Sequence, residues 1–211
     1  MESLQPGNTL DTFLIEKELH SSAMAQLFYA TDMLTDETVV LKVPFGDILN
    51  NPIQFYHYQI EERIGRTLNH PNIVHFFSRN RSRQYIIMEH VHGNDLRSIV
   101  GRGKKMEFSR AAPLIQQIAN ALSYLHGRGI IHLDLKPENI MITADSQVKL
   151  LDFGFATKEG LPDLLTEDFF LPHGTPDYIA PEQIVGQRRE IRSDIYSLGI
   201  LLYDMLTGRL P

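Results

Sequence analysis

Residues 132–139 read His-Leu-Asp-Leu-Lys-Pro-Glu-Asn, and residues 152–154 read Asp-Phe-Gly. Two further motifs flank them. The run Val39-Val40-Leu41-Lys42 comes before, and Gly174-Thr175-Pro176-Asp177-Tyr178-Ile179-Ala180-Pro181-Glu182 comes after. The four motifs place lysines, carboxylates and an amide in a fixed order. Carboxylate and amide oxygens suit a hard cation such as Mg²⁺, and an ammonium group suits phosphate oxygens.

Each of these residues, taken singly, has an ordinary structural explanation. Lys42 could be a lysine at a strand edge whose charged head reaches water. Asp152 and Asn139 are common turn residues, and Asp134 could cap nearby backbone in a loop. The ordered occurrence of all four motifs argues against these explanations jointly.

Strand signals dominate the first part of the sequence, up to about residue 90, and helix signals dominate the second part. Residues 53–68 predict a helix that ends near His70-Pro71, and residues 111–126 carry an apolar stripe at helical spacing. Residues 193–206 are apolar nearly all round and predict a buried helix. Short β-rich runs predict strands at residues 13–15, 27–30, 38–43, 74–77 and 85–88. This order predicts an α+β chain in two lobes, divided near residues 90–94.

In this order the four motifs resemble the signature of the protein kinase family. The resemblance covers residues 13–211, and the run Ala180-Pro181-Glu182-Gln183 looks closest to bacterial serine/threonine kinases. It implies one kinase domain over residues 1–211, with a β-rich N-lobe at 13–90 and a helical, partial C-lobe at 91–211. Because the family's large lobe continues through several more helices, we expect the domain to be incomplete at its C-terminus and one side of the 193–206 helix to be uncovered.

The resemblance implies roles for the motif residues in transfer of the ATP γ-phosphoryl group. Lys42 would contact the α- and β-phosphates, and Glu61 would pair with Lys42, with the adjacent Glu62 left as an alternative. Asp134 would accept or orient the proton of the substrate hydroxyl. Lys136 would stabilise the transferring phosphate.

The remaining site residues are also implied by the resemblance. Thr175 would contact the catalytic aspartate, and Asn139 and Asp152 would bind Mg²⁺. Core packing is the alternative for the apolar residues of the adenine pocket, and capping of the next helix is the alternative for Asp95. The residues assigned to ATP are Leu19, Leu27, Val40, Lys42, Met88, Glu89, Val91, Asp95 and Met141.

Two regions depart from the family pattern. The positions of the glycine-rich loop are occupied by His20, Ser22 and Ala25, so side chains stand where backbone amides would approach phosphates. Gly65 stands where the family has a bulky apolar residue. A glycine in mid-helix costs about 1 kcal/mol relative to alanine, which predicts a loosely held helix around Glu61.

Leu133 occupies a position where many kinases carry an arginine that pairs with a phosphate on the activation segment. Leucine cannot bind a phosphate, so we expect activity not to depend on phosphorylation of residues 155–179. The candidate acceptors in that segment are Thr157 and Thr166. The alternative is that another basic residue, such as Lys158, binds the phosphate instead.

Composition excludes several other classes. The 211 residues contain no cysteine, which rules out disulfides, thiolate nucleophiles and cysteine-ligated zinc. The net charge of −6 argues against a nucleic-acid partner, and the group Arg79-Asn80-Arg81-Ser82-Arg83 is interpreted as a solvated turn. The N-terminus has no signal-peptide pattern and no apolar run is long enough to span a bilayer, so we expect a cytoplasmic protein without a membrane segment.

The favoured interpretation is a serine/threonine protein kinase that uses ATP and Mg²⁺ on a protein substrate. The alternative is a pseudokinase or nucleotide-binding scaffold that transfers little phosphate, which the glycine-free loop favours. A scaffold has no need to keep the full set of catalytic-type residues. That set comprises Lys42, Glu61, Asp134, Asn139 and Asp152.

Overall fold

The computed structural model describes residues 4–22, 24–101, 103–163 and 176–211. The chain divides into two compact units. One contains Met1–Leu68 and Val74–His90, and the other contains Asn69–Ile73 and Val91–Pro211. Strands dominate the first unit and helices the second, so the predicted α+β class is confirmed. Among the described helices, none is long and apolar enough to cross a membrane.

The first unit is built on an antiparallel sheet with the strand order β1-β2-β3-β4-β6-β5. The two long hairpin partners, β2 and β3, bury alternate apolar side chains against one core, as period-two strands should. The elements are β1 Thr9–Leu10, β2 Phe13–Ser21, β3 Ala25–Asp32, β4 Thr38–Pro44, α1 Gly46–Asn50, α2 Pro52–Gly65, β5 Phe76–Phe77 and β6 Ile86–Glu89. The core contains Phe13, Ile15, Phe28, Ala30, Val39, Leu41, Tyr85 and Ile87.

Helix α2 has clear start signals. The side chain of Asn51 accepts hydrogen bonds from the backbone N–H groups of Ile53 and Gln54, each at 3.1 Å, and Pro52 occupies the first helical position. The helix ends at Gly65, three residues before the predicted end. The start of α2 therefore follows the local capping chemistry.

Gly65 is the last residue of α2, so the prediction that it lies in mid-helix is wrong. A Cβ added to Gly65 would lie 2.6 Å from three ring atoms of Phe76, which is buried beside it. The aromatic ring of β5 thus takes the space that a bulky helix residue would fill. Glycine is required here by this close approach rather than by an unusual backbone angle.

The second unit contains two small antiparallel sheets and the longer helices. The sheets have the strand orders β10-β9-β7 and β11-β8. Its elements are β7 Gly93–Asp95, α3 Leu96–Ile99, α4 Phe108–His126, β8 Ile130–Ile131, β9 Ile140–Thr143, β10 Val148–Leu150, β11 Thr157–Lys158, α5 Pro181–Ile184 and α6 Arg192–Thr207, with short 3₁₀ turns at Pro137–Asn139 and Pro176–Tyr178.

Helices α4 and α6 differ in how completely they are buried. The apolar stripe of α4 is buried as the sequence predicts, although the helix begins three residues earlier, at Phe108. On α6, Ser197, Leu201 and Met205 are buried, whereas Ile195 is 54% exposed. The expected uncovered side of this helix is confirmed, and the prediction of all-round burial is wrong.

Replacing Gly65 with alanine is expected to destabilise the chain, because the added Cβ would push against the Phe76 ring. The expected loss is about 1–3 kcal/mol in the free energy of unfolding, the usual cost of overpacking. The matched control is Gly199→Ala in α6, where the added Cβ meets no atom within 4 Å. That change should be neutral or stabilise by up to about 1 kcal/mol. Urea denaturation of both variants tests this, and equal stabilities would show that Phe76 moves aside without cost.

Candidate active site

The loop that carries Asp134 is held by a buried carboxylate on α6. Asp194 accepts hydrogen bonds from the backbone N–H groups of His132 at 3.0 Å and Leu133 at 2.9 Å. The side chain of His126 contacts the same carboxylate at 2.8 Å. Because Asp194 is fully buried, these donors replace the water that the charge has lost. The carboxylate therefore fixes the loop at the two residues before Asp134.

Leu133 adopts a left-handed backbone conformation, with φ of 63°. For a residue that is not glycine such a conformation costs about 1–3 kcal/mol and persists only where its surroundings enforce it. The carbonyl oxygen of Leu133 accepts a hydrogen bond from Gln183 at 2.9 Å, and its N–H is bound by Asp194. Both backbone groups are thus held, which keeps the strained turn in place.

His132 connects this loop to the Asp-Phe-Gly motif. Its Nε2 lies 3.0 Å from the carbonyl oxygen of Leu151, and its Nδ1 lies 3.3 Å from the backbone N–H of Asp134. A carbonyl can only accept and an N–H can only donate, so these partners fit a neutral ring protonated at Nε2. The ring also packs on Phe153, with centroids 5.3 Å apart.

Three of the predicted site residues meet at the Asp134 carboxylate. Lys136 Nζ lies 2.7 Å from Asp134 Oδ2, and Asn139 Nδ2 donates to the same oxygen at 2.8 Å. Asn139 also donates to the backbone oxygen of Asp134 at 2.9 Å. Burial raises the pKa of Asp134, and the positive charge of Lys136 opposes that rise. The negative charge of Asp152 raises the pKa of Asp134 further.

The donor atoms suit a magnesium ion bound together with phosphate. Asn139 uses its NH₂ group on Asp134, so its Oδ1 is the atom that a cation would use. Asp152 has a left-handed backbone, with φ of 56°, and its Oδ1 accepts the N–H of Gly154 at 3.0 Å. Among the described residues no cluster of three or more His, Asp or Glu side chains could hold a metal alone. Mg²⁺ is commonly held by one or two carboxylates plus substrate phosphates, and this donor set fits that pattern.

In the first unit, Lys42 and Glu61 form a short, largely buried ion pair. Lys42 Nζ lies 2.6 Å and 2.8 Å from the two carboxylate oxygens of Glu61. Tyr58, three residues earlier on α2, donates a hydrogen bond to the backbone oxygen of Lys42 at 2.8 Å. The helix is therefore tied to β4 through both the side chain and the backbone of Lys42.

Glu62, the alternative partner for Lys42, is bound elsewhere. Its carboxylate lies 2.8 Å from Arg81 and 3.5 Å from Arg66. Arg81 also donates to the carbonyl oxygen of Tyr85, and its side chain is only 17% exposed. The prediction that the arginines before β6 lie in a solvated turn is therefore wrong for Arg81. These contacts hold α2, so the expected looseness of this helix is not supported.

The residues assigned to the adenine pocket within the first unit lie on neighbouring strands. Val40 and Met88 are paired across β4 and β6, and both are buried. Leu27 is half-buried on β3, whereas Leu19 is 41% exposed on β2. The side chain of Glu89 accepts the backbone N–H of His75 at 3.1 Å.

The other assigned residues lie in the second unit. Asp95 caps α3, because its Oδ1 accepts the N–H of Ser98 at 2.8 Å. The capping interpretation of Asp95 is confirmed, and its contact with a ribose stays a prediction. Met141 is the strand partner of Asp95 across β9 and β7, and Val91 is buried at the start of this unit. Thr175 lies outside the described residues.

The loop between β2 and β3 is closed by a side chain instead of by glycines. The hydroxyl oxygen of Ser22 accepts the backbone N–H of Ala25 at 3.1 Å and of Met24 at 3.3 Å. The same hydroxyl donates to the carbonyl oxygen of Ala25 at 3.0 Å. Of the described residues in this turn, Ser22, Met24 and Ala25 adopt no positive φ that would favour glycine. Ser22 occupies amides of the kind that bind phosphate in a glycine-rich loop.

Comparison with known proteins agrees with this geometry. Residues 14–211 match the protein kinase domain family.

The chain belongs to the protein kinase family.

Bacterial serine/threonine kinases are among the relatives of this kinase chain. Serine/threonine-protein kinase pkn3 of Myxococcus xanthus is 36% identical over 94% of this chain and 38% of its own length. The probable serine/threonine-protein kinase SCO3848 of Streptomyces coelicolor is 36% identical over 92% of this chain and 30% of its own length. Serine/threonine-protein kinase PknB of Mycobacterium tuberculosis is 34% identical over 98% of this chain and 34% of its own length. The chain thus spans about a third of the length of these relatives, and the resemblance inferred from its motifs is confirmed.

Sequence reasoning missed several of the residues that hold the motifs of this kinase chain, among them Arg97. Arg97 on α3 lies 2.8 Å from Glu138, inside the catalytic loop, and 3.1 Å from the buried Asp204 on α6. Tyr178 also donates to Asp204 at 2.6 Å. Pairs so far apart in the chain leave no local spacing signal, so no motif could have indicated them.

The contacts of Ser22 predict that Ser22→Gly tightens ATP binding, because the change frees the N–H groups of Met24 and Ala25 for phosphate. A neutral hydrogen bond contributes about 0.5–1.5 kcal/mol net, so the dissociation constant of Mg-ATP should fall by roughly two- to tenfold. Calorimetric titration with Mg-ATP measures this. Ser21→Gly is the matched control and should bind like the parent. Equal or weaker binding by Ser22→Gly would mean that the hydroxyl itself supports the nucleotide.

Proposed function

We propose that the chain transfers the γ-phosphoryl group of ATP to a serine or threonine hydroxyl of a protein substrate. The observation that carries this proposal is the arrangement at Asp134, where Lys136 and Asn139 meet one buried carboxylate. A scaffold that only binds nucleotide has no need for a carboxylate with a neighbouring lysine in this loop. The family match and the serine/threonine-protein kinase names of the relatives support the same reaction. Because the reaction consumes ATP, we propose the cytoplasm as its compartment.

Asp134 acts on the substrate hydroxyl. The hydroxyl oxygen forms a bond to the γ-phosphorus while its proton passes to the Asp134 carboxylate. The bond between the γ-phosphorus and the bridging oxygen breaks, and ADP leaves with that electron pair. Lys136, held 2.7 Å from Asp134, supplies positive charge to the transferring phosphoryl group.

Other side chains of the chain bind and orient ATP. Lys42, fixed by Glu61, neutralises the α- and β-phosphates. Asn139 Oδ1 and the Asp152 carboxylate would hold Mg²⁺, which when bound offsets the charge that develops on the phosphate oxygens. The adenine and ribose would contact the residues named for them above. Asp95 would then serve both the ribose and the cap of α3.

A specific observation favours the alternative function, a nucleotide-binding scaffold with little phosphoryl transfer. The Ser22 hydroxyl binds the amides of Met24 and Ala25, which weakens the case for close phosphate alignment. The contacts of Lys136 and Asn139 with the Asp134 carboxylate favour catalysis, because nucleotide binding alone does not require them. We therefore place catalysis first.

We also propose that activity does not require phosphorylation of the segment after Asp-Phe-Gly. Leu133 is buried and carries no charge that could bind a phosphate. Thr157 is buried, and its hydroxyl donates to the carbonyl oxygen of Arg188 at 3.3 Å, so it is poorly placed as an acceptor. Lys158 is half-buried in β11, and Thr166 lies outside the described residues.

The central test of this function is Asp134→Asn, which keeps the shape of the side chain but removes its ability to take a proton. Turnover should fall by about 10²–10⁴, the usual contribution of a positioned acid–base group. Binding of Mg-ATP, measured by calorimetry, should remain close to that of the parent. Transfer of labelled phosphate to a protein substrate measures turnover, and Asp145→Asn on an exposed turn is the matched control.

Comparable turnover by Asp134→Asn and the parent would remove Asp134 from the mechanism. A parent chain that binds Mg-ATP but transfers no label to serine or threonine would favour the scaffold function instead.

A further inference from the structure

The segment that follows Asp-Phe-Gly is held by backbone pairing at its start. Strand β11 pairs with β8, so that Thr157 lies opposite Ile131 and Lys158 opposite Ile130. The N–H of Glu159 also donates to the carbonyl oxygen of Gly129 at 2.8 Å. These bonds place residues 157–159 beside the chain that leads into His132. They do not reach the residues that follow.

Arg188, in the connection between α5 and α6, contacts residues 155–163 at both ends of that stretch. Its Nε lies 2.9 Å from the carboxylate of Asp163, and its Nη2 donates to the carbonyl oxygen of Phe155 at 2.8 Å. The backbone oxygen of Arg188 accepts the hydroxyl of Thr157. One residue therefore touches the first, third and ninth positions after Gly154.

The charge pair is removed from water. The side chain of Arg188 is 13% exposed and that of Asp163 is 5% exposed. Breaking a buried pair by removing one partner leaves the other charge without compensation, which is strongly unfavourable. The pair should therefore keep the segment in one conformation much of the time. The neighbouring Arg189 adds a weaker, exposed contact to the carbonyl oxygen of Leu161 at 3.0 Å.

A phosphate orders a segment by forming charge-assisted hydrogen bonds with arginine. The carboxylate of Asp163 forms the same kind of bond with Arg188 and is part of the chain itself. Leu133, at the other position where an arginine could meet a phosphate, has no charge to offer. An ion pair within the chain thus supplies the contact that a modification would otherwise create.

We propose that Arg188 is a positioning residue that anchors residues 155–163 through Asp163 and Phe155, and that this anchor orders the segment without phosphorylation. The inference rests on the proposed function for its effect on turnover. The anchoring itself is a property of the fold and is measurable without activity.

The experiment uses two pairs of variants. Arg188→Gln and Asp163→Asn remove the charge pair. Asp163→Asn keeps the hydrogen bond from Arg188 to the carbonyl oxygen of Phe155. Arg188→Lys and Asp163→Glu retain opposite charges and should restore part of the anchor. Arg192→Gln is the matched control, because it breaks a surface ion pair with Glu190 a few residues away.

Two measurements are made on each variant after phosphatase treatment. Hydrogen–deuterium exchange of a peptide covering residues 155–163 reports the anchor, with a peptide from α4 as the internal reference. Turnover and the KM for ATP report its effect on catalysis.

We expect Arg188→Gln and Asp163→Asn to exchange faster in residues 155–163 only. Their kcat should fall by about ten- to a hundredfold, the scale expected when a reacting group is misplaced by about 1 Å. Their KM for ATP should stay within about twofold of the parent value, because neither residue is assigned to the nucleotide. In exchange rate and in kcat, Arg188→Lys and Asp163→Glu should lie between the charge-removing variants and the parent. Arg192→Gln should match the parent in both measurements. Phosphatase treatment should change neither the exchange rate nor the kcat of the parent.

Unchanged exchange in both charge-removing variants would overturn the anchor. Faster exchange together with a parental kcat would show that Arg188 does not position the reacting groups. Faster exchange of the parent after phosphatase treatment would show that the anchor depends on a phosphate. If Arg188→Gln fails to fold, Asp163→Asn decides in the same way. If the parent transfers no phosphate, the proposed function fails, and the exchange data alone still decide whether Arg188 anchors the segment.

Discussion

The buried carboxylate of Asp194 is the constraint on which the second unit depends. It accepts the backbone N–H groups of His132 and Leu133, and so it fixes the chain just before Asp134. Without those bonds the left-handed turn at Leu133 would relax, because nothing intrinsic to leucine favours it. Gln183 binds the other side of the same turn, which makes the loop geometry depend on two elements that follow it in the chain.

The charged residues of each unit pair with specific partners, and the partner determines what each residue can do. In the first unit, Glu61 goes to Lys42 while its neighbour Glu62 goes to Arg81, so adjacent identical side chains take different partners. In the second unit, burial raises the pKa of Asp134 and Lys136 moderates that rise. A carboxylate whose ionised form is only partly stabilised is well suited to accept a proton, which is the task proposed for it.

The sequence was sufficient for the fold class and for the motif residues, because each motif is local and its residues carry their own chemistry. Some of the contacts that hold those motifs could not be predicted, because their residues belong to no recognised motif. Arg188 and Asp163 are twenty-five residues apart, and nothing in their spacing indicates a pair. Gly65 was misjudged because the ring that fills its space comes from Phe76, on a separate strand. The role of Ser22 was hidden because loss of a glycine was read as a steric loss, whereas the hydroxyl makes bonds of its own.

Amide exchange in the variant Asp194→Asn tests whether the Asp194 carboxylate holds the loop that carries Asp134. An asparagine keeps the size of the side chain, but its NH₂ group cannot accept a hydrogen bond, so one of the two N–H groups loses its partner. Exchange at His132 and Leu133, followed by NMR, should become at least about tenfold faster than in the parent, which corresponds to a loss of roughly 1.4 kcal/mol in local stability. Exchange in the β2–β3 hairpin should not change. Parental exchange rates at both His132 and Leu133 would show that the Asp194 carboxylate does not hold this loop.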